Sequence, residues 1–546
     1  MARVVPFVQA SPDPPRAWSG DWLMRSVLTH RLPGDVLRAI EPQLAEMEAL
    51  AAGPLARRQA DDRLREPVLT HWDAWGNRID RIELTPLWRE AEPIAARFGL
   101  VAIPYERAHG RCSRLHQFAL VQIFHPVSDM YTCPLAMSDG AARALLDAGN
   151  AALVERALPH LTSRDPARFW TSGQWMTESI GGSDVGASET IAVRDTDDSW
   201  RLYGRKWFTS AATSQMSLTL ARPEGGGSGG TGLAMFYLET RDADGRLNGI
   251  RIDRLKDKLG TRKVPTAELT LDGARARLVA GATHGTRAIE PMLGITRAWN
   301  SVCAVAFMRH GYLLARDYAE KRRAFGARLA DLPLHATQLA DLDAECAGAM
   351  VLTFELLELL GRHESREIDD AGAALLRLLT PLVKAVTGRQ AVAAASETLE
   401  AFGGAGYLED TMLPVLLRDA QVLPIWEGTT NVLSLDALLR ADFTEGVAAL
   451  RARALAACAS AADSELRAAA DTALGIIDHW IAWHAACRDP TALQAAARHL
   501  VLSLGRAFEL ALLVELASAP GLGGNTAAAR RACLRLHAQA TNVTNR

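Results

Sequence analysis

A glutamate lies between a tryptophan and a glycine in Ile425-Trp-Glu-Gly-Thr-Thr-Asn431. Desolvation in an apolar stretch disfavours a carboxylate's charge, so Glu427 is suited to take up a proton near neutrality. One glutamate beside one tryptophan is weak evidence by itself. Three further segments could serve chemistry. Met176-Thr-Glu-Ser-Ile-Gly-Gly-Ser-Asp-Val-Gly186 places small residues and hydroxyls in a loop, leaving backbone amides open to an anion or a ring system. Gly204-Arg-Lys-Trp-Phe-Thr-Ser210 reads as an aromatic strand ending in hydroxyls. Such a strand can stack on a flat cofactor, although core packing is the commoner use of aromatics. Phe402-Gly-Gly-Ala-Gly-Tyr407 gives a glycine turn shortly before the glutamate.

Other motifs fail on context. Gly225-Gly-Gly-Ser-Gly-Gly230 fits G-x-G-x-x-G in letters. A dinucleotide fingerprint needs a strand before it and a helix N-terminus after it. Here a strand-like run follows, so the segment reads as a hairpin loop. There is no Walker A loop or H-E-x-x-H pair, and His479 and His484 are spaced poorly for two ligands on one helical face. The seven cysteines are scattered and never form C-x-x-C. This pattern argues against a disulfide framework or a metal site and for a reducing, cytoplasmic setting. The net charge of -3 excludes a strongly basic nucleic-acid tail. The N-terminus lacks a signal-peptide core, and no uncharged apolar run reaches membrane-span length, so no membrane partner is expected.

The elements that must position these residues follow from periodicity. At 546 residues the chain is too long for one core. Residues 1–20 are proline-rich and read as an irregular leader. From Trp22 to Leu158 apolar residues recur at helical spacing, with polar breaks around Pro67 and at 75–81. Between 165 and 285 short alternating runs are separated by turn signals at 196–199, 222–231 and 242–249. Helical period then returns. Leu339, Leu342, Cys346 and Ala349 share one face, as do Leu375, Leu378, Leu379, Leu382 and Val386, with Pro381 placed to kink the second helix. An alanine-rich helical extension follows residue 440. The expected division is 1–164 (helical, with the leader), 165–285 (β), 286–440 (helical bundle) and 441–546 (helical extension).

In order and spacing, these segments resemble the signatures of the acyl-CoA dehydrogenases. Lys258-Leu-Gly-Thr-Arg-Lys with Thr266-Ala-Glu-Leu, and Lys321-Arg-Arg-Ala-Phe-Gly326, fit the same pattern. The likeness covers roughly residues 70–440. It is nearest to the AidB-like branch, through the long N-terminal region, Arg254-Leu-Lys-Asp-Lys-Leu-Gly260 and Trp426 before the glutamate. The resemblance implies an α+β fold: an N-terminal helical domain, a middle β-barrel-like domain, and a C-terminal four-helix bundle plus the extension. It implies FAD as cofactor, an acyl-CoA substrate, and an electron-transfer flavoprotein or oxygen as acceptor. It also implies a homotetramer.

Carried over residue by residue, Met176, Thr177, Gly182 and Ser183 contact the flavin from the loop, and Phe208 and Ser210 from the strand. Arg322 and Phe325 reach the FAD of a neighbouring subunit, with Gly403 and Gly404 nearby. Thr429 and Asn431 fill the remaining cofactor positions. Glu427 falls on the position of the base that removes the α-proton. Thr296 occupies the position where part of the family carries that base, and threonine cannot serve as one. Arg297 is expected near the substrate, close to the carboxylate of Glu427, with a structural ion pair as the equal alternative. Glu400 stands where many members have a glutamine touching cofactor phosphates.

The resemblance implies dehydrogenation of a short or branched acyl thioester. An oxidase or monooxygenase on the same scaffold is one alternative. A DNA-associated flavoprotein of the alkylation response, with double-stranded DNA as partner, is the other. For the latter, Arg530, Arg531 and Arg535, with Arg546, form the one basic cluster after residue 440 that is unopposed along the sequence.

Overall fold

The computed structural model describes residues 9–195, 199–461 and 463–544. The start of the expected leader, positions 196–198 of one expected turn, and Arg546 lie outside the described residues. Residues 9–20 contain neither helix nor strand.

The chain divides into two units, one made of residues 57–300 with 425–432, the other of the remaining segments. In the first, local signals set the helix ends. Thr85 caps the helix Pro86–Phe98 by accepting from the Trp88 amide at 3.4 Å, and the chain leaves that helix through Gly99 at φ +67°. The helices Ser113–Phe124 and Thr132–Ala148 are almost wholly buried. Arg114, Gln117, Tyr105 and Trp299 all donate to the buried Asp139, so its charge is compensated.

The β region is barrel-like. Strands Met216–Pro223, Ile191–Arg194, Trp200–Thr209, Ala267–Leu278 and Ala234–Glu239 pair in a closed ring. Ser172–Trp175 adds in parallel to Met216–Pro223, and Ile250–Leu255 adds to Ala267–Leu278. Trp175, Leu202, Phe236, Leu238, Ile252 and Leu269 fill the interior. The glycine-rich segment joins the antiparallel strands Met216–Pro223 and Ala234–Glu239, as a hairpin loop. Where Trp200–Thr209 meets Ala267–Leu278, the register slips between Lys206 and Thr209. Such a bulge re-aims side chains at a strand end. Phe208 emerges there 50% exposed while Thr209 is buried.

One difference from the sequence reading lies at residues 68–83. The polar break there is flanked by an antiparallel hairpin, Val68–Trp72 with Arg78–Glu83. Its inward position is filled by Asp80, held by His71, Arg78 and the Ile252 amide, so the alternation of apolar residues that marks a strand is absent.

The other unit is helical. Pro333–Glu364 and Asp370–Ala401 bury the two apolar faces read from the sequence, and the second helix runs through Pro381 as one element. Phe443–Cys458, Ser464–Ala486, Pro490–Ser518 and Thr526–Thr544 form the extension. Buried Glu355 receives Arg31 and Arg453, which ties an early helix and the extension to Pro333–Glu364.

Candidate active site

Glu427 lies in the segment between the helices Leu413–Ala420 and Thr430–Leu439, half-buried, with the backbone left-handed at φ +56° and Gly428 following at φ +104°. A non-glycine residue in that region is strained unless its surroundings hold it. Here they do. The Thr296 hydroxyl donates to Glu427 Oε2 at 2.6 Å, and Gln174 Nε2 donates to the same oxygen at 3.4 Å. Arg297 Nε donates to the Glu427 main-chain oxygen at 3.2 Å. The indole N–H of Trp426 is bonded to Asn300 Oδ1. The helix beginning at Glu290 thus supplies Thr296, Arg297 and Asn300 at helical spacing, one for each part of the turn. Arg297, expected near the substrate, is used on the backbone of the glutamate.

Cys133, at the start of the helix Thr132–Ala148, belongs to the same cluster. Burial pushes its thiol up to about 12, and Lys258, Glu427 and the Ser210 hydroxyl are near enough to act on it. Ser210, expected from the aromatic strand, is therefore brought to the region of Glu427. Nothing local in the sequence singles out Cys133, Gln174 or the use made of Thr296.

The loop that begins at Met176 and the aromatic strand are fastened together. Lys206, fully buried, donates to Glu178 Oε1 at 2.7 Å and to the Leu220 carbonyl at 2.8 Å. Glu178 also accepts from the Glu189 amide at 2.7 Å and the Thr190 hydroxyl at 2.6 Å. Burial pushes the Glu178 carboxyl up, but Lys206 and these donors bring it below its ordinary value, while burial lowers the Lys206 ammonium. Trp207 donates its amide to the Thr177 carbonyl, and Lys256 lies 3.4 Å over the Trp207 ring. The face that remains has half-buried Met176 and Thr177, exposed Gly182 and Ser183, and exposed Ile180 and Phe208. A side chain at Gly182 would come within 2.8 Å of Thr177 Oγ1. Gln174 Oε1 is buried with no hydrogen-bond partner among the described residues. A half-exposed aromatic ring beside a glycine cradle, hydroxyls and an unpaired acceptor fits a flat ring system carrying phosphates. Thr429 and Asn431 are exposed, and Thr429 Oγ1 accepts from the Val432 amide at 3.4 Å.

Arg322, Phe325, Gly403 and Gly404 lie in the other unit. Phe325 and Gly326 form the two-residue tip of a small hairpin, at φ +51° and +81°, which leaves Phe325 96% exposed. Tyr318 and Phe402 stack at 4.4 Å, joining the helix that precedes Arg322 to the turn that begins at Gly403. Gly403 is left-handed at φ +59°, with open space where a side chain would stand.

The basic cluster is not unopposed, which corrects the sequence reading. Arg530 is paired with Asp463 and Glu465, and Arg535 with Asp341. Carboxylates distant in sequence are brought to them by folding, and Arg531 is the exposed member.

Comparison with known proteins yields three family matches: acyl-CoA dehydrogenase, C-terminal domain, over residues 283–441; acyl-CoA dehydrogenase, middle domain, over 173–274; and adaptive response protein AidB N-terminal domain over 17–166. The chain is 40% identical over 529 residues to acyl-CoA dehydrogenase family member 11 of Caenorhabditis elegans, spanning 94% of this chain and 86% of that protein. It is 32% identical to AidB of Escherichia coli over 74% of this chain and 73% of that protein. The structure of Caenorhabditis elegans ACDH-11 in complex with C11-CoA matches with a TM-score of 0.93 at 38% identity, covering 98% of this chain and 93% of that one.

Proposed function

The chain belongs to the acyl-CoA dehydrogenase family, FAD-dependent oxidoreductases acting on CH–CH bonds, and on that premise we propose that Glu427 is the base that removes the α-proton of its acyl-CoA substrate. The observation that carries the assignment is the hold on its carboxylate. Oε2 is engaged by Thr296, a residue that cannot itself act as base, at 2.6 Å. A carboxylate fixed by neutral donors on one oxygen keeps the other to take a proton. The main-chain N–H of Glu427 would donate to the thioester oxygen, where negative charge builds as the α-proton leaves.

FAD supplies the two-electron acceptor for the β-hydrogen. Met176, Thr177, Gly182, Ser183, Phe208 and Ser210 hold it from the loop and strand, with Thr429 and Asn431 beside the base. Arg322, Phe325, Gly403 and Gly404 hold it from the helical unit of a neighbouring subunit in a homotetramer. The exposed Phe325 tip supports that part of the reading. An electron-transfer flavoprotein is the acceptor we favour over oxygen.

Anaerobic titration of the FAD-loaded protein with acyl-CoAs, read by flavin bleaching, tests the reading. The panel should include short and branched chains and, because one relative was solved with C11-CoA, medium chains as well. Glu427→Gln should retain FAD and lose bleaching by at least about 10²–10⁴-fold, the usual contribution of a general base. Bleaching of the variant at the wild-type rate would remove Glu427 from the role.

A further inference from the structure

Behind Ser210 runs a row of hydrogen-bonding groups that proton removal by Glu427 does not use. Lys258 Nζ donates to the Val264 carbonyl at 2.9 Å and to Thr266 Oγ1 at 2.8 Å. Thr266 Oγ1 stands 3.3 Å from Ser210 Oγ, and Cys133 lies beside Ser210. Lys258 lies in the connection between the strands Ile250–Leu255 and Ala267–Leu278, and Thr266 immediately precedes the second of these. Ser210 directly follows the strand Trp200–Thr209, just past its bulge.

The direction of the protons along this row follows from counting donors. An ammonium has no acceptor, so Thr266 Oγ1 must accept from Lys258. The single Thr266 proton then has two nearby acceptors. Ser210 Oγ is the nearer, at 3.3 Å; the Val264 carbonyl is 3.5 Å away and already accepts from Lys258. With the Thr266 proton on Ser210 Oγ, the proton of Ser210 itself must point the other way, to the Cys133 side. The reverse order would leave Thr266 only the 3.5 Å contact. Hydrogen bonds arranged donor to acceptor in sequence polarise one another, and a cation at the head strengthens the row.

We propose that Lys258 is a positioning residue that, acting through Thr266, fixes the Ser210 hydroxyl as a donor facing the cofactor side of the strand. The group it meets is an acceptor heteroatom, nitrogen or carbonyl oxygen, on the edge of the FAD ring. Burial keeps the nearby Cys133 thiol neutral, so it does not compete with that acceptor as an anion. The proposal rests on the placement of FAD against Ser210 and is independent of the identity of the base.

The test compares Thr266→Ser, Thr266→Val and Lys258→Met in the FAD-loaded protein. The visible absorption band of the flavin, the FAD dissociation constant and the acyl-CoA dependence of flavin reduction are measured for each. Thr266→Val and Lys258→Met should shift the flavin band, weaken FAD, and lower the limiting reduction rate by about tenfold, the effect of one ordinary hydrogen bond. The acyl-CoA concentration at half-saturation should stay within about twofold, because the interaction is with cofactor and not substrate. Thr266→Ser, which keeps the hydroxyl, should behave as wild type. A wild-type band and rate in Thr266→Val would overturn the proposal. So would a Thr266→Ser protein as impaired as Thr266→Val, which would show a packing role. If Lys258→Met does not fold, the two Thr266 variants decide. Failure of the base assignment would appear separately, as undiminished reduction in Glu427→Gln, and leaves the spectral comparison intact.

Discussion

Replacing Lys206 with methionine removes the cation that joins the loop at Met176 to the aromatic strand. The ammonium is fully buried, 2.7 Å from Glu178 Oε1, and Glu178 is 3% exposed. Removing one partner of such a pair strands the other charge and costs about 3–5 kcal/mol. Glu178 keeps its donors from Glu189 and Thr190, which favours the lower end, whereas the Leu220 carbonyl loses its donor, worth about 1 kcal/mol. The expected loss is about 3–4 kcal/mol. Glu178→Gln combined with Lys206→Met should recover most of it, because a neutral pair of similar volume no longer strands a charge. The pH behaviour has a definite sign. The carboxyl of Glu178 is held below its ordinary value, so its contribution is present above the unfolded carboxyl range and fades as pH falls through the folded value. Urea titration followed by release of FAD fluorescence reports the unit that carries both segments, without assuming that the whole chain unfolds in one step. A loss below about 1 kcal/mol in Lys206→Met, or a double variant no better than the single one, would refute the reasoning.

A second buried carboxyl shows the opposite pH dependence. Burial pushes Glu509 up to about 7 despite Arg506, and Glu345 adds to the rise. Its contribution is therefore full below the unfolded carboxyl value and is lost as pH rises through about 7, at up to about 1.4 kcal/mol per pH unit. Glu509→Gln should flatten the denaturant midpoint across that window; an unchanged slope would contradict the assignment. For DNA, changing Arg530, Arg531 and Arg535 together to Ser should alter the salt dependence of any duplex binding by a log–log slope of about 1 or less, since the first and last are already on carboxylates. Anisotropy titrations with unrelated duplexes at two salt concentrations measure this, and a slope change near 3 would show that all three arginines meet phosphate.

The sequence was most informative where function is written in short segments kept in order. Glu427, the loop from Met176 and the strand ending at Ser210 are each contiguous, and their spacing along the chain brought the family to view. The helical faces at Leu339–Ala349 and Leu375–Val386 were equally legible, because burial acts on every residue of a face and leaves a period. The hairpin at residues 68–83 was not, because its inward position holds Asp80 and a polar network does the work that apolar residues do elsewhere.

What escaped reading consists of pairs. Thr296 meets Glu427 across 131 positions, Lys206 meets Glu178 across 28, and Arg535 meets Asp341 across 194. A reading of charge along the chain treats neighbours in sequence as neighbours in space. That is why three arginines looked like a basic patch when folding had already matched two of them. The same reasoning applies to Glu427. Its residue type and local sequence mark a candidate base, but what equips it is a threonine hydroxyl and an arginine from one distant helix and an amide from a distant strand. A variant of Thr296 that cannot donate should therefore disturb the reaction while leaving the recognisable Trp426-Glu427-Gly428 segment untouched.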